Sequence, residues 1–223
     1  MCPVDNDRVY SWRGFVLGRT KIRSLFGILL AGVAGILFVD AVAAKETIVF
    51  IRHGEKPKDG LGQLSCQGLN RALKLPGALA KTFYPDSSAK PAAIFAPNPS
   101  IKKDDKGEDY DYVRPLATIE PTAIAIGMPI DVDIGFDDAK ALRKALEGKR
   151  FRDALVLVAW EHSIIPEVAR KLLKENGGDP DKVDDWDKHD FDSIYVVTID
   201  WANETADFER KHEGLDGQPD ACP

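Results

Sequence analysis

The segment Ile48 to Pro57 reads IVFIRHGEKP, an apolar run that ends in arginine, histidine and glycine in succession. Imidazole is the one common side chain that is both nucleophilic and largely deprotonated near neutral pH, so a histidine there can attack an electrophile without a separate base. A guanidinium presents a planar fork that fits two oxygens of a phosphate. Glycine permits a sharp turn and a close approach of backbone N–H groups to an anion. These types in this order point to a bound anion at the end of the strand, with Arg52, His53 and Gly54 as its candidate contacts. Two further groups of the same kind stand downstream: Arg114 ahead of PLATIEPTA, and Glu161 with His162 in WEHS after the apolar run ALVLVAW.

Such residues act together only if the fold gathers them. TIVFIRH, AAIFA, DALVLVAW and DSIYVVTID have the apolar, β-branched composition of buried strands. SCQGLNRALKLPGALAKTF reads as a helix kinked or broken at Pro76, RPLATIEPTAIAIG as a helix with Pro115 in its first turn, DDAKALRKALEGK as a third, and IIPEVARKLLKENGG as a fourth stopped by Gly177 and Gly178. The alternation predicts an α/β domain, a three-layer α/β/α sandwich with a mostly parallel central sheet. In such sheets ligands sit at the carboxyl ends of the strands, where His53, Glu161 and His162 fall. Neighbours in a strand point to opposite faces, so Arg52 and His53 meet one ligand only if the strand stops there. Pro97 to Val113 reads as one long irregular loop whose lysines and acids intermix, and DPDKVDDWDKHDFD as a solvated loop lacking the glycine and terminal glutamate of a calcium loop.

The 223 residues, 44% hydrophobic and 30% charged, suffice for one compact domain with a sizeable core. A net charge of -6 excludes a chain built to coat nucleic acid, so any bound anion must be held by a local positive cluster. Residues 1–44 read as a leader: Arg13, Arg19, Lys21 and Arg23 precede SLFGILLAGVAGILFV and then AVAA. The expected cut follows Ala43 or Ala44, leaving 45–223 as a periplasmic or secreted domain free of the membrane; the alternative is an uncleaved anchor. Of the three cysteines, Cys66 and Cys222 survive such a cut and can pair in an oxidising compartment; the alternative is two free thiols. No P-loop, HExxH or paired CxxC pattern occurs, so neither metal nor nucleotide cofactor is expected.

RHGE after an apolar strand, LSCQGLNRALKL, an arginine before TIEPTA, and a late strand ending in histidine together resemble the histidine phosphatase superfamily, the phosphoglycerate mutase-like proteins. The resemblance runs from about Lys45 to Asp200. It implies a phosphomonoester hydrolase in which His53 becomes phosphorylated while Arg52, Arg114 and His162 hold the phosphoryl oxygens, with a phosphorylated small molecule as substrate. Lys56 and Pro57 stand where cofactor-independent mutases commonly have serine or threonine, which favours hydrolysis over a phosphomutase. A phosphohistidine protein phosphatase and a catalytically inactive phospholigand-binding module remain alternatives. For the general acid, Ser163 occupies the place of one branch's aspartate. The candidates are then Glu161, beside His162, and Asp137 in DVDIGFDDAK, a segment that also carries Asp133 and Asp138. His189 and His212, in acidic polar segments, are expected to be solvated.

Overall fold

A computed structural model of the protein describes residues 45–86 and 90–223. Residues 1–44, read as a leader and including Cys2, lie outside the described residues. Five strands form one sheet: β1 (Lys45–Arg52), β2 (Ala93–Phe95), β5 (Leu155–Trp160), β6 (Ser193–Asp200) and β7 (Thr205–His212), in the order β2-β5-β1-β6-β7. A separate hairpin pairs β3 (Lys102–Asp105) with β4 (Glu108–Asp111). The helices are α1 (Cys66–Phe83), α2 (Arg114–Ile126), α3 (Ala139–Leu146) and α4 (Ile164–Glu175). Strands β2, β5 and β1 are mutually parallel, β6 runs against β1, and β7 reverses again, so four of the five strands point the same way.

Side chains alternate across the strands and fill two cores. Ile48, Phe50, Val156, Val158, Trp160, Tyr195 and Val197 meet Leu142 and Leu146 of α3 and Val168 and Leu172 of α4 on one face. Val49, Ile51, Leu157, Ala159, Ile194 and Val196 meet Leu75 and Leu79 of α1 and Ile119 and Ala123 of α2 on the other. Burial on both faces is why these strands read as continuous apolar runs. The result is the expected three-layer α/β/α sandwich.

Three local expectations are corrected. α1 runs unbroken through Pro76: the missing N–H and the ring clash cost about 3 kcal/mol in a free helix, and here Leu75 and Leu79, both fully buried, hold that turn against the sheet. The stretch before Val113 contains the β3–β4 hairpin, turned at Lys106 and Gly107 with positive φ. DSIYVVTID is followed by β7, an edge strand carrying Asp207, Glu209, Arg210 and Lys211, charges that discourage pairing with another chain.

The C-terminal tail returns along α1. Cys66 and Cys222 form a disulfide with Cα atoms 4.6 Å apart, and Asn70 Nδ2 donates to the carbonyls of Pro219 and Ala221 at 3.0 and 2.8 Å. The sequence separation of 156 residues puts the chain-entropy contribution of the bond at about 4 to 5 kcal/mol.

Candidate active site

The β1–β5 ladder ends at Arg52 opposite Trp160, and His53 N–H donates to Trp160 O at 3.0 Å. The chain then leaves the sheet and presses onto the first turn of α1. A Cβ on Gly68 would stand only 2.3 Å from Glu55 O, so that position requires glycine, and one on Gly54 would crowd Gly68 O at 3.0 Å. Ser65 caps α1, its Oγ accepting from Gly68 N–H at 3.1 Å, while its own N–H and hydroxyl donate to Glu55 O at 2.9 and 3.2 Å. Arg71 closes the motif, donating from Nε and Nη2 to the Glu55 carboxylate at 2.9 to 3.2 Å. The spacing RHGE…LSCQGLNRA is thus a folding device that fixes the loop carrying His53.

His53 is 3% exposed, and its Nδ1 lies 2.8 Å from Gly54 O. A carbonyl only accepts, so Nδ1 bears the proton and Nε2 keeps its lone pair. Burial drives the imidazole pKa well below 6.5, and the charges of Arg114 and Arg52 push it the same way. The ring is therefore neutral at neutral pH, as a nucleophile must be.

Two arginines flank it. Arg52 leaves β1 towards the α3/α4 face, where Nη1 donates to Lys188 O at 2.9 Å and Asp190 O at 2.8 Å, with Asp187 O at 3.4 Å. Its guanidinium lies 3.9 Å over the Phe191 ring. Burial lowers its pKa to about 10, which leaves it charged at neutral pH. The segment expected to be merely a solvated loop therefore supplies the carbonyls and the ring that aim Arg52. Arg114 opens α2; its N–H donates to Gly62 O at 3.0 Å and its Nη1 to Asp105. Thr118, one turn on, accepts from Gly54 N–H at 2.9 Å and donates to Arg114 O at 2.9 Å, pinning α2 to the His53 loop. The Nε atoms of both arginines are buried without a partner among the described residues.

His162 and Glu161 follow β5 directly. His162 is half-buried, its Nδ1 has no partner among the described residues, and burial followed by the charge of Arg52 lowers its pKa below 6.5. Glu161 accepts from Lys103 Nζ at 2.7 Å on Oε2. Asp137 and Asp133 are exposed and form no side-chain hydrogen bond or ion pair with the site among the described residues; Asp138 caps α3 through Ala141 N–H at 2.8 Å. His189 and His212 are exposed, as expected.

The hairpin brings in residues that the sequence reading left aside. Asp105, 5% exposed, accepts from Arg114, from Lys56 Nζ at 3.1 Å and from Gly62 N–H at 3.1 Å. Burial would raise its pKa, but the bonds from Arg114 and Lys56 outweigh this and hold it at about 2. Lys103 Nζ reaches Glu161 with the Phe136 ring 4.6 Å and the Tyr112 ring 5.4 Å away. KKDD and EDYD carry no apolar alternation that marks them as strands, so the sequence held no local signal for these contacts. Among the described residues no cluster of three or more His, Cys, Asp or Glu is arranged to hold a metal.

No protein-family model matches the sequence, and no curated protein matches it significantly. Solved structures do. A phosphoglycerate mutase from Plasmodium falciparum superposes with a TM-score of 0.50 at 13% identity, covering 77% of this chain and 92% of that one. A Nakamurella multipartitia protein assigned as phosphohistidine phosphatase SixA gives 0.49 at 16% identity over 76% and 97% of the two chains. A mycobacterial glucosyl-3-phosphoglycerate phosphatase gives 0.43 at 15% over 75% and 97%. The fold of this chain is the phosphoglycerate mutase-like fold.

Proposed function

We propose that the protein is an exported phosphomonoester hydrolase that works through a phosphohistidine on His53 and acts on a phosphorylated small molecule. The observation that carries the reading is the state of His53: a neutral imidazole whose Nδ1–H is tied to Gly54 O, between two arginines whose Nε donors have no partner among the described residues. Preorganised unpaired donors beside a nucleophile match a phosphoryl group, whose transition state spreads charge over its equatorial oxygens. His53 Nε2 attacks phosphorus, the P–N bond forms, and the ester P–O bond breaks. Glu161 gives the leaving oxygen its proton, and its Oε1, which no described residue holds, is the atom that exchanges it. Water then attacks the phosphohistidine, Glu161 takes back a proton, and inorganic phosphate leaves with His53 restored.

Lys56 supports hydrolysis over mutase transfer: where mutases commonly carry a serine or threonine, this chain has a lysine paired with Asp105 at 3.1 Å. The leader-like order of residues 1–44 and the Cys66–Cys222 bond support action in an oxidising compartment. The test is hydrolysis of an aryl phosphate by the full chain without added metal, beside His53→Ala. Turnover that vanishes in the variant is expected; equal rates in the two proteins would contradict the assignment.

A further inference from the structure

Tyr112 precedes Arg114 by two residues, on the segment that joins the hairpin to α2, and it is completely buried. Its ring walls the site. The His53 ring meets it edge-on with centres 6.1 Å apart, Phe136 packs on it at 5.2 Å, and the Arg114 guanidinium carbon lies 4.8 Å from its centre. Packing alone would be served by phenylalanine, because burying a hydroxyl without a partner is costly. Yet the Tyr112 hydroxyl finds no acceptor for its proton among the described residues, and the neighbouring Arg114 guanidinium can only donate to it. The ring contacts with His53 and Arg114 set it beside two of the groups that form the site. Burial first and the charge of Glu161 second raise its pKa, so the hydroxyl keeps its proton in the free site. Three buried donors without an acceptor among the described residues, Tyr112 Oη, Arg52 Nε and Arg114 Nε, thus belong to residues grouped around one neutral imidazole.

We infer that Tyr112 is a further phosphoryl ligand, its hydroxyl donating to a non-bridging oxygen of the group that His53 receives. The inference rests on the phosphatase reading of the site. The hydroxyl is then a donor held ready for the substrate. Unlike the arginines it adds no charge, so it contributes direction: its O–H complements the two guanidinium forks from the wall formed by the hairpin segment.

The test is Tyr112→Phe in the full chain, which removes one oxygen and keeps the ring. Three quantities are read beside the parent: the melting temperature, the affinity for orthovanadate, and kcat/KM for two aryl phosphates of different leaving-group pKa. The melting temperature should stay or rise. Vanadate binding and kcat/KM should fall about 10- to 100-fold, the range for a hydrogen bond to a charged acceptor, by the same factor for both esters. Parental vanadate affinity and turnover in the variant would overturn the inference alone, and so would a lower melting temperature with vanadate binding unchanged. A loss that grows with leaving-group pKa would overturn it by making Tyr112 the proton donor. A parent that neither hydrolyses the esters nor binds vanadate would overturn the phosphatase reading itself and this inference with it.

Discussion

Asp105 and Arg114 form a buried ion pair that joins the β3–β4 hairpin to the first residue of α2, and Lys56 donates to the other oxygen of the same carboxylate at 3.1 Å. One aspartate therefore orients an arginine of the proposed phosphoryl site and tethers the loop that follows His53. Removing one partner of such a pair leaves a buried charge uncompensated, at about 3 to 5 kcal/mol. Asp105→Ala should lose stability on that scale, whereas Asp105→Asn, which keeps an acceptor, should lose less. Both should lower kcat/KM by about tenfold or more through a misplaced Arg114. Because the folded carboxylate titrates at about 2 and the ordinary value is 3.8, its contribution is complete above about pH 4 and is lost as pH falls through 2. Acid unfolding of parent and Asp105→Asn, followed by circular dichroism, measures that difference.

The acid limb of kcat/KM should report His53. Its folded pKa lies below 6.5 through burial and the charge of Arg114, so the nucleophile stays unprotonated into the mildly acidic range. Arg114→Gln removes a positive charge, makes protonation of His53 easier, and should move the limb to higher pH as well as lower the rate. The second ionisation of the ester, about 6 for phosphate monoesters, is common to both proteins and drops out of the comparison. A limb at the same pH in both would exclude the Arg114 field as a cause.

Glu161→Gln separates proton donation from phosphoryl binding. An ester with a good leaving group needs little protonation in the transition state, while an alkyl phosphate needs a full proton. The variant should retain most of its rate on the former and lose about 100-fold or more on the latter. Parental turnover on alkyl phosphates would take Glu161 out of the mechanism.

How much of this was legible in the sequence follows from what each segment buries. β1, β5 and β6 are covered on both faces, so their apolar runs announced them; the Gly54, Gly68 and Arg71 spacing likewise carried its meaning in its residue types. The hairpin and β7 bury little, so KKDD, EDYD and TADFERKH showed no apolar alternation strong enough to mark strands. Lys103 and Asp105 looked like members of a mixed, solvated charge run. Strand alternation turns both into the site, and the partners that select them, Glu161 and Arg114, lie 58 and 9 residues away. Asp187 to Asp190 contribute backbone carbonyls to Arg52, which no side-chain pattern could reveal.

Around Arg71 the chain gathers Glu55, Asp192, Glu213 and Asp216. More carboxylates than cations meet there, and burial of Glu213, reinforced by Asp192 and Glu55, outweighs Arg71 and raises its pKa to about 8. A raised folded pKa means stability that is complete below the ordinary 4.5 and declines as pH rises through 8. Melting curves between about pH 5 and 9 should therefore fall more steeply for the parent than for Glu213→Gln. Parallel curves would show that Glu213 does not hold a proton in the folded protein.

The central claim is that His53 itself carries the phosphoryl group. The direct measurement is rapid quenching of the full chain during turnover of an aryl phosphate, under alkaline conditions that preserve phosphohistidine, followed by peptide mapping by mass spectrometry. The account predicts one phosphoryl group on the peptide containing His53, and none on any peptide of His53→Ala, in which His162, His189 and His212 remain. Steady turnover with that peptide unmodified, or the label on another residue, would contradict it.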